Sequence, residues 1–196
     1  MSLSQIRTVL WTLVAVAALG ATGLYVYTTI ARPAQAVALG QGDYQLVTAS
    51  GEPFSHDSLL GKPSMLFFGF THCPEVCPTS LAEMAAWYET LGEDAKDLNA
   101  FFISVDPERD TAEVIGDYVN WTGRVTGVTG SIEEVAKAAR AWGVYYEKVP
   151  IEGEDYTMDH TASVFLVNAE GEFEGTIAYR ESADTAVAKL RRLLAS

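Results

Sequence analysis

The two cysteines of this chain lie in a short turn that directly follows a strongly apolar segment. Residues 64–70 (SMLFFGF) form a continuous apolar run, which is typical of a strand buried on both faces. Residues 71–78 (THCPEVCP) follow at once, and a helical pattern begins after them. Both sulfurs are therefore held between the end of a buried strand and the start of a helix, where they can ligate a metal, form a disulfide or alternate between the two.

Strand and helix patterns alternate through the remainder of the chain. Strands are predicted at residues 44–48, 51–54, 64–70, 101–105, 125–128, 162–167 and 172–178. Helices are predicted after the cysteine turn, at residues 110–119 and 131–142, and at the C-terminus, whereas residues 144–160 read as an irregular connection. This order predicts a single α/β domain with a mixed sheet flanked by helices, and a dithiol at a strand-to-helix turn makes that fold thioredoxin-like.

Capping patterns predict where three of the helices begin. Ser80 with Glu83 fits a capping box after the cysteine turn, although Cys77-Pro78 fits the first turn of that helix equally well. Asp110 with Glu113 and Ser131 with Glu134 fit the starts of the next two helices.

An uncharged segment at the N-terminus predicts a membrane anchor. Residues 8–31 contain no charged side chain, and 24 residues at about 1.5 Å each span about 36 Å, enough to cross a hydrocarbon layer of about 30 Å. A cleaved signal peptide is the alternative, because Ala34-Gln35-Ala36 resembles a cleavage site, but the apolar region is longer than signal peptides need. We expect an uncleaved anchor at residues 1–32, a linker at 33–41 and one domain at 42–196.

The part of the chain after the anchor is strongly acidic. All 26 Asp and Glu lie beyond residue 42 with 11 of the 13 Lys and Arg, so this part carries a net charge of −15. Such a charge argues against nucleic acid or an anionic membrane surface as a partner. It is compatible with a basic partner or with a simple solvated acidic surface.

The cysteine pair is predicted to be functional rather than structural. A disulfide closing a loop of five residues stabilises a fold by only about 2 kcal/mol in the chain-entropy model, and a domain with this much apolar sequence has little need of it. A helix N-terminus lowers the pKa of a nearby thiol, which favours redox exchange and metal binding alike. Cys73 and Cys77 are therefore candidates for both.

A metal site needs a third ligand, and His160 is the best candidate among three histidines. His56 lies in a polar turn and is predicted to be exposed, and the side chain of His72 is expected to point away from the adjacent Cys73. His160 precedes the strand at 162–167, and in a thioredoxin-like sheet this loop faces the dithiol turn. Two thiolates and one imidazole suit Cu(I), and Cu(II) with an added ligand, with zinc as the alternative.

Three other features near these residues allow two interpretations each. Asp159 either orients His160 or is a turn residue, and Met158 either offers a thioether or fills the core. Residues 106–110 (DPERD) form a good turn and helix start, but Arg109 could also brace a charged loop beside the site.

Three segments of the sequence resemble the signatures of the Sco (SenC/PrrC) family. They are residues 68–78 (FGFTHCPEVCP), 104–111 (SVDPERDT) and 159–161 (DHT), and the resemblance extends over residues 40–196 and the anchor. One departure is Glu75, where many members carry aspartate, and it keeps the carboxylate.

The resemblance implies a membrane-anchored copper protein that assists assembly of the dinuclear copper centre of cytochrome c oxidase. Its ligands would be Cys73, Cys77 and His160, and its partners subunit II of the oxidase and other copper chaperones. The expected location is the inner membrane, with a single span and the soluble domain on the periplasmic side. We expect a binding protein rather than an enzyme.

Two redox activities are the alternatives. A thiol-disulfide reductase would use the same two cysteines to keep the copper-ligand cysteines of the oxidase reduced. A peroxidase of the peroxiredoxin type is suggested by Cys77-Pro78-Thr79, but it would need a threonine and a proline where this chain has Pro74 and Phe70. The sequence therefore favours the chaperone and keeps the reductase as its competitor.

Overall fold

The computed structural model of the chain describes residues 2–26, 39–151, 153 and 155–196. The chain divides into two units, Met1–Val37 and Ala38–Ser196. Most of the predicted linker and the Ala34-Gln35-Ala36 segment lie outside the described residues.

The N-terminal unit contains one helix that is long and apolar enough to cross a membrane. Helix α1 spans Leu3–Val26, and its candidate membrane span, Leu3–Gly23, has a mean hydropathy of 1.5 and no buried part. It contains Arg7 near its start and otherwise no charged residue. Apolar side chains exposed along a whole helix are stable when lipid rather than water surrounds them.

A seven-stranded mixed sheet forms the centre of the second unit, as predicted. Its strands are β1 (Leu46–Thr48), β2 (Pro53–Phe54), β3 (Ser64–Gly69), β4 (Asn99–Ser104), β5 (Val125–Thr129), β8 (Val164–Val167) and β9 (Phe173–Ile177). The spatial order is β2-β1-β5-β4-β3-β8-β9. Strands β3, β4 and β5 are parallel, and β1, β8 and β9 pair antiparallel with their neighbours.

Strand β3 lies inside the sheet and leads into the cysteine turn. Every one of its residues is buried, and it pairs with β4 on one side and β8 on the other. Burial on both faces is the physical reason for its continuous apolar sequence. The cysteine turn thus starts from one of the most constrained strands of the fold.

Four helices flank the sheet. They are α2 (Val76–Leu91), α3 (Ala112–Asn120), α4 (Ile132–Ala141) and α5 (Ala183–Leu194). Helices α2 and α5 contact each other, and α3 lies against β5. The predicted thioredoxin-like arrangement of a mixed sheet between helices is confirmed.

Residues 144–160 are not the irregular connection that the sequence predicted. They contain a second, two-stranded antiparallel sheet made of β6 (Tyr146–Pro150) and β7 (Tyr156–His160), in which Tyr146 pairs with His160. We refer to Tyr146–His160 as the β6–β7 hairpin. Strand β7 (YTMDH) alternates apolar with polar residues, but β6 (YEKVP) does not, so only half of the hairpin carries a strand pattern in the sequence.

Of the predicted helix starts, the cap at Asp110 is wrong, the cap at Ser131 is confirmed, and for the first helix the alternative with Cys77-Pro78 in the first turn is confirmed. Helix α2 begins at Val76, so Cys77-Pro78 lies in its first turn and Ser80 lies inside the helix. Thr111 rather than Asp110 caps α3, because the Thr111 hydroxyl accepts the Val114 N–H. The Ser131 hydroxyl accepts the Glu134 N–H at the start of α4, as predicted.

Candidate metal centre

The cysteine turn places the Cys73 sulfur at the N-terminus of helix α2. The Cys77 amide N–H donates a hydrogen bond to Cys73 Sγ over 3.2 Å. This N–H belongs to the first turn of the helix, where backbone donors have no partner within the helix. The sulfur therefore takes the role of a capping oxygen, and the positive end of the helix dipole favours its thiolate form.

His160, the last residue of β7, lies against the second cysteine. Its Nε2 atom is 3.5 Å from Cys77 Sγ, and its Nδ1 atom is 3.0 Å from the carbonyl oxygen of Thr161. A carbonyl oxygen only accepts, so Nδ1 carries the proton and the lone pair of Nε2 faces the sulfur. The chain thus presents the imidazole in the tautomer that a metal ligand requires.

The group that orients His160 is the Thr161 carbonyl, not Asp159. The Asp159 side chain is exposed, and Asp159 pairs with Glu147 inside the β6–β7 hairpin. It is therefore neither the predicted orienting carboxylate nor a turn residue. A backbone carbonyl is an ordinary outer-shell partner for a metal-binding histidine, but no sequence pattern marks it.

Aromatic rings enclose the imidazole of His160. The Phe70 ring stands edge-on to it with ring centroids 5.7 Å apart, and the Phe67 ring does so at 6.2 Å. Cys77 is fully buried and Cys73 is 8% exposed. Met158 is buried in the core, as its interpretation as a core residue predicted. The site is apolar and opens to solvent mainly at Cys73 and His160.

Gly69, the last residue of β3, allows Cys77 to approach the sheet. A Cβ atom at this position would lie 2.8 Å from Cys77 Sγ and 2.6 Å from the Phe102 ring. Real Cβ atoms do not come this close to other heavy atoms, so only glycine fits here without displacing the sulfur or the ring. No local sequence pattern marks this role of Gly69.

Asp110 ties the cysteine turn to the ends of the neighbouring strands. Its buried carboxylate accepts hydrogen bonds from the Thr71 N–H, the Thr71 hydroxyl and the Ser104 hydroxyl. Thr71 lies two residues after the end of β3 and two before Cys73, and Ser104 ends β4. Asp110, which the sequence predicted to be a helix cap, instead holds the cysteine turn in place through these hydrogen bonds.

The two remaining histidines lie away from the cysteine sulfurs. His72 is exposed, and its Nδ1 atom is 3.1 Å from the Thr71 hydroxyl. His56 is partly buried rather than exposed as predicted, because it packs near Gly171. Among the described residues, the one group of potential metal ligands is Cys73, Cys77 and His160, whose ligand atoms lie within 4.8 Å of one another.

This set of ligand atoms can hold a soft metal ion after a small contraction. Three atoms at about 2.0–2.3 Å from one ion in a trigonal plane lie about 3.5–4.0 Å apart. Two thiolates and one imidazole favour copper or zinc over the hard cations Mg²⁺ and Ca²⁺. Both cysteines are free thiols, so both sulfurs are available.

The two thiols differ in acidity because they share one proton. A hydrogen bond from the Cys77 thiol is the main cause that lowers the pKa of Cys73 to about 4; burial opposes it, and the N–H groups of Cys77 and Glu75 contribute. The same interaction, together with burial and the charge of Cys73, raises the pKa of Cys77. The reduced site therefore holds one thiolate, on Cys73, and one thiol.

We expect the reduced chain to show the ultraviolet absorbance of one thiolate at neutral pH and to keep it down to about pH 5. Cys73→Ser should abolish this absorbance, and Cys77→Ala should shift its onset to higher pH, because the hydrogen bond donated by the Cys77 thiol is lost. A thiolate that forms only above about pH 8 in the parent chain would contradict the assignment. A depressed folded pKa stabilises the fold above the unfolded pKa, and that contribution is lost as the pH falls toward 4.

The chain is similar in sequence to known proteins. The family model described as SCO1/SenC matches residues 32–195. The human "Protein SCO1 homolog, mitochondrial" is 43% identical over 136 residues, which are 67% of this chain and 45% of the human protein. The chain therefore spans about half the length of this curated relative.

Two solved structures with similar folds contain copper. The structure of Bradyrhizobium japonicum ScoI with copper bound has a TM-score of 0.73 and 42% identity, covering 80% of this chain and 99% of that one. The crystal structure of yeast Sco1 with copper bound has a TM-score of 0.74 and 32% identity, covering 81% and 90%. The second unit of this chain thus has the same fold as proteins whose structures hold copper.

Proposed function

The chain belongs to the SCO1/SenC family, and we propose that it is a membrane-anchored copper chaperone. It would bind one copper ion through Cys73, Cys77 and His160 and pass it to a partner by exchange of ligands. The observation that carries this proposal is the convergence of two sulfurs and one correctly protonated imidazole within 4.8 Å.

The chemistry of the site suits a metal that is carried rather than retained. Two thiolates and one imidazole satisfy Cu(I) with three ligands, and Cu(II) with one ligand more. A three-ligand site leaves one side of the ion open, where a ligand of the partner can attack. Cys73 and His160 lie at the exposed side of the site, so exchange would begin there.

We propose that the receiving partner is the copper-binding subunit II of cytochrome c oxidase, with other copper chaperones as donors. The family membership supports this partner, and the acidic domain is compatible with basic partner surfaces. Helix α1 would anchor the chain once in the inner membrane, and the domain with the cysteines would lie on the periplasmic side.

Copper titration of the reduced full chain in detergent tests the proposed cargo. We expect one copper ion per chain and, with Cu(II), a thiolate-to-copper charge-transfer band. The chain oxidised to the Cys73–Cys77 disulfide is the matched control and should bind no copper at this site, because a disulfide lacks thiolates. Equal binding by the reduced and oxidised chains would contradict the assignment.

A thiol-disulfide reductase remains a second candidate function. The lowered pKa of Cys73 beside a protonated Cys77 is the arrangement of an attacking thiolate with a resolving thiol. Measurement of the Cys73–Cys77 reduction potential against that of the oxidised copper-binding segment of subunit II distinguishes the two functions. A potential well above that of the partner would exclude net reduction and leave the chaperone.

A further inference from the structure

Arg109 lies where the loop after β4 meets the β6–β7 hairpin, and its guanidinium joins the two. Its Nε atom donates to the buried carboxylate of Asp106. Its Nη1 atom donates to the carbonyl oxygen of Tyr156 over 2.9 Å and to the carboxylate of Asp155 over 3.1 Å. One planar cation therefore contacts the loop that follows β4 through Asp106 and the start of β7 through Tyr156.

The ring of Tyr156 completes this junction. Its centroid lies 3.7 Å from the Arg109 guanidinium carbon and 4.1 Å from Lys148 Nζ, and the Tyr156 hydroxyl donates to Asp106 over 2.8 Å. A cation placed over an aromatic face is attracted by the negative potential of the ring. Asp106 and Arg109 thus hold Tyr156 by its backbone, its ring face and its hydroxyl.

The β6–β7 hairpin needs such an attachment. It is a separate two-stranded sheet, and most side chains of β6 are exposed or partly exposed. An isolated two-stranded hairpin is only marginally stable in water. Tyr156 begins β7 and His160 ends it, so the position of the imidazole depends on what holds this strand to the main sheet.

A second contact joins Arg109 to the site through an aromatic ring. The guanidinium carbon lies 6.0 Å from the centroid of the Phe70 ring, and the same ring stands edge-on to His160. Phe70 is fully buried and precedes the cysteine turn. Arg109 therefore supports His160 both through strand β7 and through the ring that packs against the imidazole.

We propose that Arg109 is a positioning residue that holds His160 over the two cysteines and so controls how fast copper leaves the site. This inference rests on the proposed function, because it concerns the retention of the same cargo. Arg109 does not touch the metal ligands. It sets the fraction of time that the hairpin keeps the imidazole within reach of the ion.

The test measures copper release from the full chain in detergent. Cu(I)-loaded protein is mixed with an excess of a chelator whose Cu(I) complex is coloured, and the release rate is followed. Arg109→Lys keeps the charge beside Asp106 but loses the fork that reaches Tyr156, so we expect release to accelerate about tenfold, as for other outer-shell partners of metal ligands. Arg124→Lys is the matched control, because Arg124 lies over the Tyr88 ring, and should leave the rate unchanged.

A double-mutant cycle separates positioning from general stability. In a His160→Ala background, Arg109→Lys should change the release rate less than about twofold, because the ligand through which it acts is gone. An equal acceleration with and without His160 would overturn the proposal, as would an unchanged rate in Arg109→Lys. Tyr156→Phe, which removes only the hydroxyl bond to Asp106, should give a smaller acceleration of the same kind.

Copper binding by the parent chain separates a failure of the proposed function from a failure of the proposed role of Arg109. If the reduced parent chain binds no copper, the proposed function fails and the release experiment has no signal. If the parent chain binds copper and His160→Ala weakens binding while Arg109→Lys does not alter release, the function stands and the role of Arg109 is wrong.

Discussion

Replacement of His160 by alanine is expected to weaken Cu(I) binding by at least about 100-fold while the fold remains intact. Loss of an outer-shell partner of a metal ligand costs about 10- to 100-fold in affinity, so loss of a ligand itself costs no less than the upper part of that range. His160 ends strand β7 at the edge of the domain, and its side chain is only partly buried. Its removal therefore leaves two thiolates without the nitrogen ligand.

Competition with a Cu(I) chelator of known affinity measures this effect on the reduced full chain. His72→Ala is the matched control, because His72 is adjacent to Cys73 in sequence but exposed and bonded to Thr71. It should bind copper like the parent chain. With Cu(II), the His160→Ala variant should also show an altered thiolate-to-copper band. Equal affinities of the two variants would remove His160 from the ligand set.

The Gly69→Ala variant is expected to lose both stability and copper binding. The added Cβ would meet Cys77 Sγ at 2.8 Å and the Phe102 ring at 2.6 Å, and both neighbours are fully buried. Overpacking of this kind costs about 1–3 kcal/mol of the free energy of unfolding. Because relief requires movement of the Cys77 sulfur or of the strand beneath it, the cysteine turn should also be displaced relative to His160.

Denaturant unfolding of the metal-free, reduced chain together with copper titration tests this prediction. Gly116→Ala is the control: alanine is favoured by about 1 kcal/mol inside helix α3, and the tight contact of the added Cβ with the side chain of Ala49, at 3.1 Å, opposes this gain. We expect a clear loss of stability and copper affinity in Gly69→Ala and little change in Gly116→Ala. An unaltered Gly69→Ala variant would mean that the sulfur does not pack on this backbone.

The sequence was a good guide wherever local pattern and burial agree. The continuous apolar run of β3 predicted an interior strand, the prolines and cysteines after it predicted a turn into a helix, and the alternation of strands and helices predicted the mixed sheet. Periodicity reports which faces are buried, and burial on both faces is a property of the strand itself.

The sequence was a poor guide where a side chain is satisfied by a distant partner. Asp110 is of a residue type that often caps helices, yet its carboxylate accepts hydrogen bonds from Thr71, 39 residues earlier, and from Ser104. The β6–β7 hairpin escaped prediction because the sequence of β6 does not alternate, and because the hairpin is attached through Arg109, which contacts Tyr156 from the neighbouring loop. Neither interaction has a periodic signature.

The chain by itself determined that two thiols lie together, because Cys73 and Cys77 are joined by a turn whose ends are a buried strand and a helix. Only the tertiary structure decided that His160 meets Cys77, which is 83 residues earlier, and that the Thr161 carbonyl leaves its Nε2 atom free to face the sulfur. Local spacing determines which groups share a turn, whereas the pairing of distant groups depends on sheet order and packing. The dithiol was therefore readable from sequence, and the site it forms with an imidazole required the fold.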